Sequence, residues 1–491
     1  MTPSGARERA VEVLCAHALA PIVDLVAWPE GEGPERTVVV ANSAGAARLA
    51  ADGGSEPLHG CDPVAVRDPM ARTEHAEIAA DPRPVNADNA YPLAGPRLLS
   101  LFADAGRAPD LVVVHTPAHY FPEQGGHLGE HGSLDAGQSR APFLLSGAGV
   151  ESAGVVEDWG RVVDVAPTLA WLAGVDGEAL AGLDGRVRHD HVRRGARHVV
   201  GLLWDGAASP DLLHLAATGV LPNVARLLDR GRALRGGAIA EFPSVTLCNH
   251  TSALTGVGPG RHGVVGNSFL DRETGARVNA NDTTTWHRSA EWFRPGVSTV
   301  FEQVALARPG ALTACVDEPV DRGAGYSTMA LIRATGSDRG ARALEEHLPD
   351  PRTSPHASRS FVEASEDYAF WSAVDEAGLA QVLELFARPA DAPVLTWWSS
   401  TLTDAGNHAG GPGSPIATAA LVDTDRRLGV FLDALDRLGL TDDVTLLLTA
   451  DHGFEAADPQ VRGSWSPALR AAGVGHLDEA NGFIYLDADA R

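Results

Sequence analysis

EFPSVTLCNHTSALTGVGPGRHGVVGN, residues Glu241–Asn267, places a threonine hydroxyl, Thr246, three positions before an amide, Asn249, and ahead of a run rich in glycine, serine and threonine. A threonine hydroxyl is a poor nucleophile until a base or a metal ion removes or masks its proton. No His–Asp pair stands near it in sequence to act as in a serine hydrolase. Asp and His residues in tight spacings stand elsewhere, and they point to a nucleophile turn in a two-metal phosphoryl-transfer site.

Outward from this stretch, strand and helix patterns alternate. Short apolar runs read as buried strands at His198–Trp204, near Ala311–Val316, at Val394–Trp398 and at Val444–Leu448. Between them, Pro222–Ala233, Val300–Ala307, Leu379–Phe386 and Ala417–Leu438 read as helical. This alternation predicts an α/β fold: a mainly parallel central sheet sandwiched by helices. Upstream, Pro21–Trp28, Thr37–Ala41, Asp110–His115 and Ala141–Val150 read as strands, and Val162–Val175 as an apolar helix. A small accessory β-containing subdomain is expected at the front.

Ligands of open α/β sheets collect beyond the carboxyl ends of the strands. Asp205 follows GLLW, Asp404 and His408 lie in TDAGNH, and Asp451 and His452 lie in ADHG. His131, in GEHG, follows DLVVVH; His127 in the same Gly-rich loop is its rival. Alone, Asp205 reads equally as a helix cap, His131 as a surface histidine and Thr246 as a structural threonine. Their conjunction beyond predicted strand ends makes them candidate ligands of dications such as zinc, which accept carboxylate oxygen and imidazole nitrogen.

With DHG, DAGNH and GEHG, the stretch Glu241–Asn267 resembles the alkaline phosphatase superfamily, and within it the nucleotide pyrophosphatase/phosphodiesterase branch. That family's nucleophile motif has Thr followed by Asn-His, as at Thr246, Asn249 and His250; a proline usually precedes the Asn, where this chain has Cys248. The resemblance implies an alkaline-phosphatase-like fold and two Zn2+ ions, with Mn2+ or Fe as other possible occupants. It implies that Asp205, Thr246, Asp451 and His452 surround one ion and that Asp404, His408 and His131 hold the other. It further implies a covalent phosphothreonine intermediate, with Asn249 donating to a phosphate oxygen.

One departure is large. The family's GxHG histidine lies downstream of DHG, whereas His131 precedes every other motif. Residues 109–175 look like the family's C-terminal end. A circular permutation is therefore expected, which is tolerated when the old termini lie close together. The organisation that follows is residues 1–108 as accessory subdomain and lead-in, 109–175 as the part of the core carrying GEHG, 176–197 as linker and join, and 198–491 as the main catalytic core. The same argument places Gly482–Leu486 within roughly 20 Å of Thr37–Ala41, about one strand length.

The 491 residues carry a net charge of −25 and no lysine among 39 basic residues. That acidity argues against a nucleic-acid polymer or an acidic membrane as partner and leaves a small-molecule phosphodiester or nucleotide. Four cysteines without CxxC spacing and no recognisable leader suggest a cytoplasmic protein with free thiols. Oligomeric state is not legible. A phosphomonoesterase is the alternative within the same chemistry, but monoesters call for an extra cationic clamp, and Arg261 is the one arginine near Thr246 in sequence. A binding protein without turnover is the alternative from another class. The leaving group is not legible either; Trp286, Trp292, Phe293 and Tyr326 are candidates for a nucleobase slot.

Overall fold

The computed structural model describes residues 3–66, 89–122, 125–334, 366–479 and 482–486. Its central element is an eight-stranded sheet in which His198–Trp204 lies between Leu395–Ser400 and Val444–Thr449, parallel to both. All seven residues of His198–Trp204 are buried, as a Val/Leu-rich strand covered on both faces by helices must be. Thr313–Val316 and Tyr326–Ser327 extend the parallel part on one side. On the other side Phe143–Gly147, from the front third of the chain, runs antiparallel to Val444–Thr449. Gly231–Leu234 and Gly154–Val156 complete that edge. Gly231–Leu234 corrects the expectation that the helix of Pro222 continues to Ala233; the helix stops at Asp229.

The second sheet is not small. Seven antiparallel strands run in the order His476–Glu479, Phe483–Leu486, Leu111–His115, Val23–Glu30, Thr37–Asn42, Gly45–Leu49 and Ser55–Gly60. Phe483–Leu486 and Thr37–Asn42 are three strand spacings apart, about 14 Å, inside the limit set above. Leu111–His115 belongs to this sheet, not to the central one, which corrects the picture of His131 following a strand of the catalytic sheet. The reason is burial on both faces. Leu111 and Val113 pack with Ala6, Ala10 and Leu14 of the helix Pro3–Leu14. Val112 and Val114 pack with Leu98 and Phe102 of the helix Ala94–Phe102. An inner antiparallel strand covered twice gives the same continuous apolar run as a parallel one.

The nucleophile stretch is held between the two sheets. Phe242 and Leu247 pack into the core of the antiparallel sheet, while Ala253 and Leu254 pack into the core of the central one. All ten residues of the helix Thr246–Thr255 are buried. The helix ends at Gly256, whose φ of +73° is left-handed, and a Cβ there would meet the Leu183 and Pro167 side chains at 3.0 Å. Glycine is the residue that fits such a helix end.

Residues 176–197 are packed rather than loose. Asp184 and Gly185 donate their N–H groups to the Gly256 carbonyl, and Arg188 is buried against Asp158 and Asp164. Gly and charge in that segment serve buried ion pairs, not chain freedom. The unassigned middle region begins with ordered chain through Ala334 and resumes in the helix Glu366–Phe386; residues 335–365 lie outside the described residues. Among the described residues, no helix is long and apolar enough to cross a membrane.

Candidate metal centre and nucleophile

Three neighbouring parallel strands deliver three carboxylates to one end of the central sheet: Asp205 after Trp204, Asp404 four residues after Ser400, and Asp451 two after Thr449. Asp404 and His408 sit at i and i+4 of the helix Leu402–Gly410 and so share a face. His131 is brought in from the front third. The preceding pair Gly129–Glu130 bonds to Glu455–Ala456, just past the DHG turn, as a short antiparallel ladder.

The residues fall into two groups whose ligand atoms lie within 4.8 Å of one another: Asp205, Asp451 and His452, and His131, Asp404 and His408. In the first, His452 Nε2 is 3.6 Å from Asp205 Oδ1 and 3.1 Å from Asp451 Oδ2. In the second, Asp404 Oδ1 is 3.9 Å from His131 Nε2 and 3.5 Å from His408 Nε2. The groups adjoin, since the His131 and His452 rings stack at 3.8 Å.

Each of these imidazoles has a fixed tautomer. His131 Nδ1 faces the Ser244 carbonyl at 3.0 Å, His408 Nδ1 the Gly129 carbonyl at 2.9 Å, and His452 Nδ1 the Gly453 carbonyl at 3.1 Å. A carbonyl only accepts, so Nδ1 carries the hydrogen and Nε2 presents a lone pair to the site. Burial and neighbouring imidazoles hold the His131 pKa well below its usual value, and burial pushes His408 down to about 4 and His452 down. Burial, then Asp451 and Asp404, pushes the Asp205 carboxyl well up; burial and then Asp451 do the same to Asp404.

That is an unfavourable arrangement without a cation. Asp205 Oδ1, Asp404 Oδ1, Asp451 Oδ2 and His452 Nε2 are buried without a hydrogen-bond partner among the described residues. Burying such atoms unpaired costs about 1–3 kcal/mol each, more when charged. Zinc–ligand bonds of about 2.0–2.2 Å set neighbouring ligands roughly 3.3–3.6 Å apart; two of these four pairs have that spacing, and the other two, at 3.1 and 3.9 Å, lie just outside it. The donor sets therefore fit two dications.

Thr246 is the first residue of its helix and 7% exposed. One turn on, on the same face, His250 reaches the metal groups: its Nε2 is 3.6 Å from both Asp205 Oδ2 and Asp451 Oδ2. Two residues before Thr246, the Ser244 carbonyl holds His131. The hydroxyl-bearing turn is thus bracketed by contacts to both groups.

Asn249 does not take the role expected of it. Its Oδ1 accepts from the Glu241 N–H at 2.7 Å, and its Nδ2 donates to the carbonyls of Glu241, Pro243 and Val245. The amide is fully buried and spent on the loop that precedes Thr246, so it has nothing left for a phosphate oxygen. A second amide of the same stretch, its last residue Asn267, is tied to the start of the helix, where its Oδ1 accepts from the Leu247 N–H at 3.0 Å.

Two further residues, Glu318 and Phe454, carry no motif signal. Glu318, fully buried, accepts from His250 Nδ1 at 2.8 Å, Trp397 Nε1 at 2.9 Å and Ser399 Oγ at 2.8 Å. Burial opposes both charges of the His250–Glu318 pair, but their mutual attraction and hydrogen bonds outweigh it, so the His250 pKa is raised well above its usual value and the Glu318 pKa lowered. His250 thus gives its Nδ1 to Glu318 and turns Nε2 towards Asp205 and Asp451. Phe454 sets its ring edge-on to His131, His408 and His452. Of the candidate slot aromatics, Trp286 packs with Met329, Ile332 and Val374, and the Tyr326 hydroxyl bonds to Gln381.

The family model described as type I phosphodiesterase / nucleotide pyrophosphatase matches residues 199–491. An uncharacterized pyrophosphatase/phosphodiesterase of Schizosaccharomyces pombe is 24% identical over 48% of this chain and 41% of its own length. Mouse ectonucleotide pyrophosphatase/phosphodiesterase family member 1 is 26% identical over 48% of this chain and 22% of its own. The chain thus spans less than half the length of these curated relatives. A solved structure of murine ectonucleotide pyrophosphatase/phosphodiesterase 5 has a TM-score of 0.34 at 18% identity, covering 54% of this chain and 59% of that one. With the family model matching more than half of its residues, the chain belongs to the type I phosphodiesterase / nucleotide pyrophosphatase family.

Proposed function

We propose that the protein hydrolyses phosphodiester or pyrophosphate bonds of a small molecule, with Thr246 as nucleophile and two Zn2+ ions as cofactors. One observation carries this reading: two adjoining carboxylate–imidazole groups, their lone pairs converging, flank a helix that starts at Thr246. Asp205, Asp451, His452 and the Thr246 hydroxyl would hold one ion, and His131, Asp404 and His408 the other. When bound, such ions lower the pKa of a coordinated hydroxyl and neutralise charge on phosphate oxygens. Thr246 Oγ1 then attacks phosphorus, the P–O bond to the leaving group breaks, and water cleaves the resulting phosphothreonine ester. The Asn267 amide donates to a phosphate oxygen, and the helix N-terminus adds favourable dipole charge. His250, held by Glu318, keeps its Nε2 3.6 Å from the Asp205 and Asp451 carboxylates.

A diester is the better fit than a monoester. The Arg261 guanidinium, the sequence candidate for a clamp, pairs with Asp184 at 2.5 Å and with the Gly182 carbonyl. The test is hydrolysis of bis-p-nitrophenyl phosphate beside p-nitrophenyl phosphate, with and without chelator. The expected result is chelator-sensitive cleavage of the diester, abolished in Thr246→Ala with metal content retained. Preferential cleavage of the monoester would refute the diester reading, and turnover by Thr246→Ala would refute the nucleophile.

The permuted order of motifs belongs to the same proposal. The family match starts at residue 199, the head of the strand after the 176–197 segment. His131 and the strand Phe143–Gly147, both upstream, complete the site and the sheet. Moving residues 1–180 behind residue 491 through a short linker should give a folded chain with unchanged metal content. The four cysteines, all free thiols, support a reducing, cytoplasmic setting.

A further inference from the structure

His408 belongs to more than one group. Its ligand atoms also lie within 4.8 Å of those of His127 and Glu130. The His127 and His408 rings are 4.1 Å apart, and His127 Nδ1 is 3.7 Å from Glu130 Oε1. The inner residues His131, Asp404 and His408 have side chains 10–18% exposed, whereas His127 is 39% exposed. The His127 side therefore faces solvent, and His408 stands between the two seats. Its Nδ1 hydrogen is given to the Gly129 carbonyl, so it has one lone pair to offer. One ion can use it at a time.

We propose that His127, Glu130 and His408 form an outer seat for a divalent cation, exclusive with the inner seat of His131, Asp404 and His408. Two imidazoles and a carboxylate suit zinc as a three-ligand site with water in the remaining position. The outer seat gives an incoming ion one solvent-exposed ligand, His127, beside the more buried Glu130 and His408, before it moves inward. Transfer needs His408 to exchange one partner set for the other while its hydrogen bond to Gly129 is kept. The inference rests on the two-metal reading of the catalytic site, and zinc stoichiometry separates the two.

The experiment counts zinc after equilibrium dialysis of the full-length chain. Wild type and His127→Ala should each hold two ions. His131→Ala breaks the inner seat and should still hold two, the second at the outer seat. The double variant His131→Ala/His127→Ala should hold one. Asp404→Asn repeats the design if His131→Ala does not fold, with the pair Asp404→Asn and Asp404→Asn/His127→Ala expected at two and one. A second readout is the rate at which chelator-stripped protein takes up zinc, which should fall about tenfold in His127→Ala with the same final content. One ion in His131→Ala, or two in the double variant, overturns the outer seat. Fewer than two ions in wild type would instead refute the two-metal reading on which it rests.

Discussion

Replacing Phe454 by alanine should weaken zinc binding in both metal groups at once. The ring lies 5.0 Å from His131, 4.9 Å from His408 and 5.4 Å from His452, all roughly edge-on, and Phe454 is 4% exposed. Space for it exists because Gly206, directly after Asp205, has a φ of +68° and no side chain; a Cβ there would come 2.3 Å from the ring. Truncating a buried Phe to Ala costs about 3–5 kcal/mol of stability. The ring is also the common wall of three ligands, and loss of such a support typically costs about 10–100-fold in metal affinity, or about 1.4–2.7 kcal/mol per site. The assay is competition for zinc against a chromophoric chelator, beside urea unfolding of the chelated form. Phe454→Leu, which keeps most of the volume, should recover most of both losses, and Gly206→Ala should reproduce the affinity loss by displacing the ring. Wild-type affinity at both sites in a destabilised Phe454→Ala would show that the ring fills space without positioning the ligands.

Glu318→Gln should lose about 3–5 kcal/mol, the usual penalty for breaking a buried ion pair, since His250 keeps its contacts with Asp205 and Asp451 but loses its charged partner; urea unfolding checks this, and a loss under 1 kcal/mol would contradict it. The two amides should differ in turnover: Asn249→Ala should cost about 2–4 kcal/mol by leaving buried loop groups unpaired, while Asn267→Ala, which leaves the Leu247 N–H unpaired, should cost about 1–3 kcal/mol and in addition lower kcat/KM about 10- to 100-fold. His262 is fully buried, its Nδ1 accepts from the Val264 N–H, and burial and then the Arg107 charge hold its pKa down to about 3. Below about pH 6.5 the unfolded chain binds the proton and the folded one does not, so stability should fall as pH drops from 6.5 towards 3, by at most about 1.4 kcal/mol per pH unit from this group. His262→Gln should show a shallower slope in chelated protein unfolded by urea at several pH values.

Much of this molecule is legible as sequence. Strands such as HVVGLLW and VTLLLT carry their burial in their composition, and the carboxylate after each marks the carboxyl edge of the sheet. The placement of His131 beside Asp404 is legible only through GEHG, because nothing local in a loop that holds His119, His127 and His131 says which ring turns inward. Where two arrangements share one pattern, reading stops. LVVVH suits an inner strand of either sheet, since both are covered twice. Asn249 and Asn267 are both amides of the nucleophile stretch. Which of them is spent on backbone groups depends on how the Glu241–Val245 loop folds back over the helix, a contact without periodicity. Glu318, 68 residues from His250 in the chain, and Phe454, after the DHG turn, act through packing alone.

The central claim is a pair of ions held jointly by the front and back of the chain. An anomalous difference map at the zinc edge, from crystals of the protein as purified, tests it most directly. Two peaks roughly 4 Å apart are expected. The first should be in coordination range of Asp205, Asp451, His452 and the Thr246 hydroxyl, and the second of His131, Asp404 and His408. A single peak, or a second one that His131 does not reach, would contradict the account.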